Sequence, residues 1–223
     1  AVEYITAKFP NLSVDAGGGG NLYLETYLAM GLAGLNFPEH PDSQLWVSRS
    51  VSYVAKFLDT YFPDGAGGES PRYHDWSLEL CGKFLRVMQR RVNVDLYDHQ
   101  AVRSALEWFI RFSSPPVSLT SNKMVTPAWG DSTYSSNGGS HYYYDLSIFA
   151  PYYKDRDPDC SARLQDWWVR NGRPRQVLNA GAGSLTNILL LDPRLPTAPQ
   201  RPNTSTYSPR YGMATLRDGT GSA

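Results

Sequence analysis

Ser70-Pro71-Arg72-Tyr73-His74-Asp75-Trp76-Ser77-Leu78-Glu79-Leu80-Cys81-Gly82-Lys83-Phe84-Leu85-Arg86-Val87-Met88-Gln89-Arg90-Arg91 is the stretch whose reading decides the fold. Serine followed by proline opens a helix, because proline fixes φ near its helical value and lacks an N–H that the first turn would leave unpaired anyway. Trp76, Leu80, Phe84 and Val87 then recur at helical spacing and predict a buried face running to about Arg91. Such a face needs partners, and the flanking sequence supplies them. After Gly17-Gly18-Gly19-Gly20, Asn21 stands where an N-cap is expected, and Leu24, Leu28, Leu32 and Leu35 mark one stripe. Pro41-Asp42-Ser43 opens a second helix with Val47, Val51, Val54 and Leu58 on one face, closed by Pro63-Asp64-Gly65. Asp98 opens a fourth, carrying Val102, Leu106, Phe109 and Ile110 up to Ser113-Ser114-Pro115-Pro116. Short turns between these runs predict antiparallel helical hairpins.

The pattern changes after Pro115. A long polar stretch to about Gly139 contains Trp129-Gly130-Asp131-Ser132, and a loop of that length in a compact domain is commonly functional. Tyr142 to Tyr153 reads as a short helix, and Asp157-Pro158 caps another that runs through Trp167-Trp168 to Gly172. Proline and polar residues dominate from Pro193 to Pro209, which predicts a linker. Tyr211 to Arg217 then alternates as a strand whose partners are expected beyond Ala223. The chain therefore reads as a piece of a longer protein: a helical domain over 1–192, a linker over 193–209 and the first strand of a β domain over 210–223.

Composition narrows the function. Twenty-one Lys and Arg balance 21 Asp and Glu, so there is no basic excess to follow a phosphate backbone, and a nucleic-acid partner is not expected. No apolar run approaches the roughly 20 residues of a membrane span. Two cysteines, Cys81 and Cys160, are too few for a disulfide framework or a cysteine-rich zinc site, and leave one bridge between them open. The excess is aromatic: 29 of 223 residues are Trp, Tyr or Phe, and arginine outnumbers lysine 16 to 5. Guanidinium forks pair with carboxylates and ring faces pack on sugars, so this combination suits hydroxylated, carboxylated ligands.

The chemistry concentrates before and within the start of the quoted helix. Glu69, Arg72, Tyr73, His74 and Trp76 place a carboxylate, a guanidinium, a phenol, an imidazole and an indole within eight positions, behind Gly65, Gly67 and Gly68. Glycines let a backbone approach a ligand, and a helix start presents its first side chains at an exposed end. Glu25, one turn beyond Asn21, lines the same cleft or makes a polar contact inside the bundle. Asp131 lines a cleft or pins its own loop as an Asx-turn.

Asn21 at a helix start, Asp64-Gly65 with Glu69 and Tyr73 four residues apart, the Gly130-Asp131-Ser132 loop, and the proline-rich passage into Tyr211–Arg217 occur in this order along the chain. Together they resemble the heparinase II/III-type polysaccharide lyases, a family that includes alginate and oligoalginate lyases. The resemblance implies an α/α toroid followed by an antiparallel β-sandwich, β-elimination on a uronate-containing polysaccharide or oligosaccharide, and secretion or a periplasmic location. It implies no cofactor in this stretch, with a metal possible in the β domain. Similar lyases use an asparagine–histidine pair at a helix start and a tyrosine as base or acid. By position, the asparagine is Asn21 and the tyrosine is Tyr73; Leu22 stands in the histidine's place, which moves the base role to Tyr73 or His74. Substrate binding falls to Arg72, Glu69, Glu25, Trp76 and Asp131. The alternatives are a carbohydrate-binding toroid without catalysis, motivated by Leu22, and a glycoside hydrolase with Glu25 facing Glu69 or Asp131.

Overall fold

A computed structural model describes residues 20–113, 145–170, 191–198, 205–209 and 212–216. Helices dominate: α1 (Asn21–Asn36), α2 (Ser43–Tyr61), α3 (Pro71–Val92), α4 (Gln100–Phe112), a 3₁₀ turn (Asp145–Phe149) leading into α5 (Ala150–Tyr153), and α6 (Pro158–Arg170). Two three-residue strands follow, β1 (Thr206–Ser208) and β2 (Met213–Thr215). Among the described residues no helix is long and apolar enough to cross a membrane.

α1 and α2 form an antiparallel hairpin. The Ser50 hydroxyl donates to the Tyr27 carbonyl at 2.6 Å. Further along α1, Gly34 lies against Ser43, Trp46 and Val47 at the start of α2. Gly31 has no room for a side chain, since a Cβ there would lie 2.6 Å from Ser50 Cβ.

α3 runs parallel to α1. Trp76 reaches Glu25, Phe84 lies beside Gly31, and Arg91 donates to the Leu35 carbonyl, so positions rise together along both helices. This parallel register is what later assembles the site, because it brings the first turns of α1 and α3 to the same end.

The core is one continuous apolar cluster fed by every helix from α1 to α6. Val102, Leu106, Phe109 and Ile110 of α4 are buried in it, as the spacing predicts. α3 contributes a different face from the predicted one. Leu78, Cys81, Phe84, Leu85 and Met88 are buried, whereas Trp76, Leu80 and Val87 are only half-buried. Positions 78, 81, 85 and 88 follow the three-four spacing of a packed helical seam, and Trp76 sits on its flank, where its indole N–H finds a carboxylate.

Helix starts also differ in detail. Gly20, not Asn21, occupies the cap of α1, and no side chain caps that helix. At α4 the cap is His99, whose Nδ1 accepts from the Ala101 N–H at 3.3 Å; Asp98 instead pairs with Arg156 at 2.7 Å. Asp157 caps α6 as expected, its carboxylate accepting from the Cys160 N–H at 3.0 Å. Cys81 and Cys160 are both buried free thiols, which closes the question of a bridge.

The C-terminal segments attach to this body. The Gln165 amide donates to the Asp192 carbonyl and the Ala198 N–H to the Ala162 carbonyl, so part of the stretch read as a linker packs along α6. The alternating segment does contain a strand, β2, but its partner lies upstream. β1 and β2 pair antiparallel with Tyr207 opposite Ala214. Gly212, at φ 61°, supplies the left-handed backbone before β2. The expectation that sheet neighbours lie only beyond Ala223 does not hold, because a Pro209–Gly212 turn lets the chain pair with itself.

Candidate functional site

The loop of residues 62–70 joins α2 to α3, and it is held at four points. The Asp64 carboxylate accepts from the Ala66 N–H at 3.1 Å, closing an Asx-turn. Gly65, at φ 88°, packs against the backbone of Ser104 in α4 with no room for a Cβ. The Gly67 N–H donates to His74 Nδ1 at 3.1 Å. The Tyr61 hydroxyl donates to Glu69 Oε2 at 3.1 Å. Glu69 is thereby set against the start of α1: its Oε1 would stand 2.9 Å from a Cβ placed on Gly20.

Across the mouth, Trp76 Nε1–H donates to Glu25 Oε1 at 3.0 Å and ties α3 to α1. Asn21 lies one turn before Glu25, and Arg72–Tyr73 lie one turn before Trp76. The parallel register therefore sets Asn21 level with Arg72 and Tyr73. The Arg72 guanidinium lies over the Tyr73 ring, 5.7 Å from its centroid. Asn21, Glu25, Arg72, Tyr73 and Trp76 are all half-buried, and Glu69 is exposed. Six of the eight expected site residues thus share one end of the α1–α3 pair. The two helix N-termini bring their positive dipole ends to the same mouth, where anionic groups are favoured.

His74 does not belong to this mouth. Its side chain is 0% exposed and packed among the rings of Phe62, Trp108 and Phe109, with centroids 4.4–5.0 Å away. One helical position turns it from Tyr73 into the core, so the acid–base role expected of it fails on access. Because Nδ1 accepts a hydrogen bond, the ring is neutral and carries its proton on Nε2, which is buried without a partner among the described residues. Burial holds its pKa well below the ordinary histidine value. Its work is mechanical: it anchors the glycine loop that carries Glu69.

Glu25 takes the bundle contact and still borders the mouth. Leu22, beside Asn21, is 72% exposed. Asp131 lies outside the described residues, as does the Tyr142–Tyr144 cluster. Trp167 and Trp168 are both buried and serve packing. Sequence reasoning missed Tyr61, the residue that orients Glu69; its position on the buried face of α2 gave no sign of a polar role. No group of three or more metal-ligating side chains is gathered among the described residues. A search of family models finds none that matches this chain, and no curated protein matches it either.

Proposed function

We propose that the mouth formed by the first turns of α1 and α3 is the substrate end of a polysaccharide lyase acting on a uronate-containing chain, within an α/α toroid of which the helical hairpins are a part. The observation carrying this reading is the convergence of Asn21, Glu69, Arg72 and Tyr73 beside two helix N-termini. β-Elimination removes the C5 proton of the uronate, forms the C4–C5 double bond, breaks the C4–O bond and returns a proton to the departing oxygen. Charge builds on the substrate carboxylate as the C5 proton leaves, so neutralising donors must already be in place. Asn21, Arg72 and the helix ends supply that environment. Tyr73 moves the proton, as base toward C5 or as acid toward the leaving oxygen. The Arg72 guanidinium lies over its ring and brings a cation to the same side of the mouth. Glu69, fixed by Tyr61, accepts from sugar hydroxyls. Secretion or a periplasmic location belongs to the same reading.

A second reading, a binding toroid without turnover, is favoured by one observation: an exposed leucine, Leu22, stands where the family's histidine would be. One assay separates the two. The protein is incubated with alginate, heparin-like and pectic substrates, and the absorbance of unsaturated uronate is followed. A rise supports the lyase, and binding without a rise supports the module. Reducing ends without absorbance would mean hydrolysis and overturn both.

A further inference from the structure

A second cluster of cations lies along the far half of α3. A cavity of about 760 Å³ opens between α3, α5 and residues 191–194, within the size range of small-ligand pockets. It is centred about 20 Å along α3 from Tyr73, at about 1.5 Å of rise per residue, so it is not the mouth already described. Val87, Ile148, Pro151 and Leu191 form an apolar wall.

Five cations line the cavity against one lining carboxylate, Asp192. Two of the five are neutralised locally, Lys83 by Glu79 and Arg194 by Asp192. Arg86, Arg90 and Arg91 have no ion pair among the described residues: Arg86 donates to the Gln89 side chain at 2.9 Å and Arg91 to the Leu35 carbonyl at 3.4 Å. The nearby Asp95 is taken by Arg156 at 3.0 Å. Arg86 and Arg90 stand four residues apart on one face, where like charges repel and weaken a helix. The helix dipole accounts for cations in the last turn, where Arg90 and Arg91 lie, but not for Arg86 more than a turn earlier. Three guanidiniums without an ion pair among the described residues, in a chain of zero net charge, favour an anion in this cavity.

We infer that this cavity binds an acidic oligosaccharide, its carboxylates on Arg86, Arg90 and Arg91 and its ring faces on the aliphatic wall. The anion is argued from charge alone; the sugar rests on the reading of the preceding subsection. The apolar wall and the zero net charge of the chain argue against a phosphodiester chain.

Titration calorimetry of the whole chain with trigalacturonate, maltotriose and an oligothymidylate tests it, using Tyr73→Phe to suppress turnover. Trigalacturonate binding should weaken at least tenfold in the Arg86→Gln/Arg90→Gln double variant and stay unchanged in Arg49→Gln, an exposed cation elsewhere. Far-UV circular dichroism checks that the variants fold. Binding within twofold of the parent in the double variant, equal loss in Arg49→Gln, equal affinity for maltotriose, or tighter binding of oligothymidylate overturns the inference. If the mouth is not a lyase site, unsaturated product is absent even with Tyr73 in place while this binding persists. If the cavity is not a site, the arginine substitutions leave binding intact in the Tyr73→Phe protein and product formation intact in the parent.

Discussion

Acidification should loosen this fold through His74, by an amount that follows from its place in the core. A free imidazole titrates near about 6.5. In the folded protein, burial among Phe62, Trp108 and Phe109 holds the group well below that. Its Nδ1 lone pair is already engaged by the Gly67 N–H. The unfolded chain therefore takes up the proton first. The contribution of neutral His74 is fully present above about pH 6.5 and is lost as pH falls toward the depressed native pKa, with a limiting slope of about 1.4 kcal/mol per pH unit. From pH 7.5 to 5 proton uptake by the unfolded chain limits this loss to at most about 2 kcal/mol, a measurable share of a typical stability of about 5–15 kcal/mol. Urea denaturation followed by circular dichroism at pH 7.5, 6.5, 5.75 and 5, at fixed ionic strength, measures it. His74→Asn retains an acceptor for Gly67 and cannot titrate; its curve should start lower, from the lost ring volume, and be flatter than the parent's over the same range. The chain's other three histidines are the same in both proteins, so their contribution cancels in the difference. Parallel pH profiles for parent and variant would refute the argument.

Tyr73→Phe should lower unsaturated-product formation by about 100-fold or more with an unchanged melting curve, as for loss of a general acid–base; turnover within a few-fold of the parent removes Tyr73 from the mechanism. If the proposed lyase reading holds, Leu22→His, which introduces the asparagine–histidine pair of the lyases the sequence resembles at an exposed position, should raise turnover, and an unchanged or lower rate speaks against the resemblance at that position. Gly31→Ala should destabilise by about 1–3 kcal/mol, because its Cβ would stand 2.6 Å from Ser50 Cβ across the α1–α2 contact; a change below about 0.5 kcal/mol in urea titration would show that the hairpin yields. Burial pushes the Cys81 and Cys160 thiols up to about 12, so a disulfide reagent at pH 8 should modify them only after denaturant is added, whereas rapid native modification would contradict their burial.

Much of the fold was legible because helices announce themselves by period and punctuation. Ser70-Pro71 and Asp157-Pro158 mark real helix starts, and the apolar stripe of α4 is the buried one. The α3 face was misjudged because Trp76 and Val87 are as apolar as the residues that won. Positions 74, 78, 81, 85 and 88 form an unbroken three-four seam, and that seam was the available signal that His74 faces the core. Local sequence also could not show that β2 pairs upstream, since alternation specifies a strand but not its neighbour. The site was legible in its residues and not in its supports. Tyr61 and Gly67 position Glu69 through contacts that periodicity does not encode.

Those supports decide what kind of mouth this is. A carboxylate on a glycine-containing loop would ordinarily sample many positions, and each would weaken its hold on a substrate oxygen. Here the loop is held by contacts at several of its residues. Gly67 hangs from a core imidazole, Gly65 is pressed on the α4 backbone, and Asp64 closes its own turn while accepting from Ser208 at 3.3 Å. The last contact links the β1–β2 hairpin to the loop that carries Glu69. A change in the hairpin thus has a covalent and hydrogen-bonded route of few residues to the mouth: Ser208 to Asp64, Asp64 through Gly67 to Glu69. Placing the donors before substrate arrives is the physical requirement for stabilising a charge that exists only in the transition state. In the proposed reaction, the burial of His74 would act at one remove from Tyr73, by holding Gly67 and with it the loop that carries Glu69.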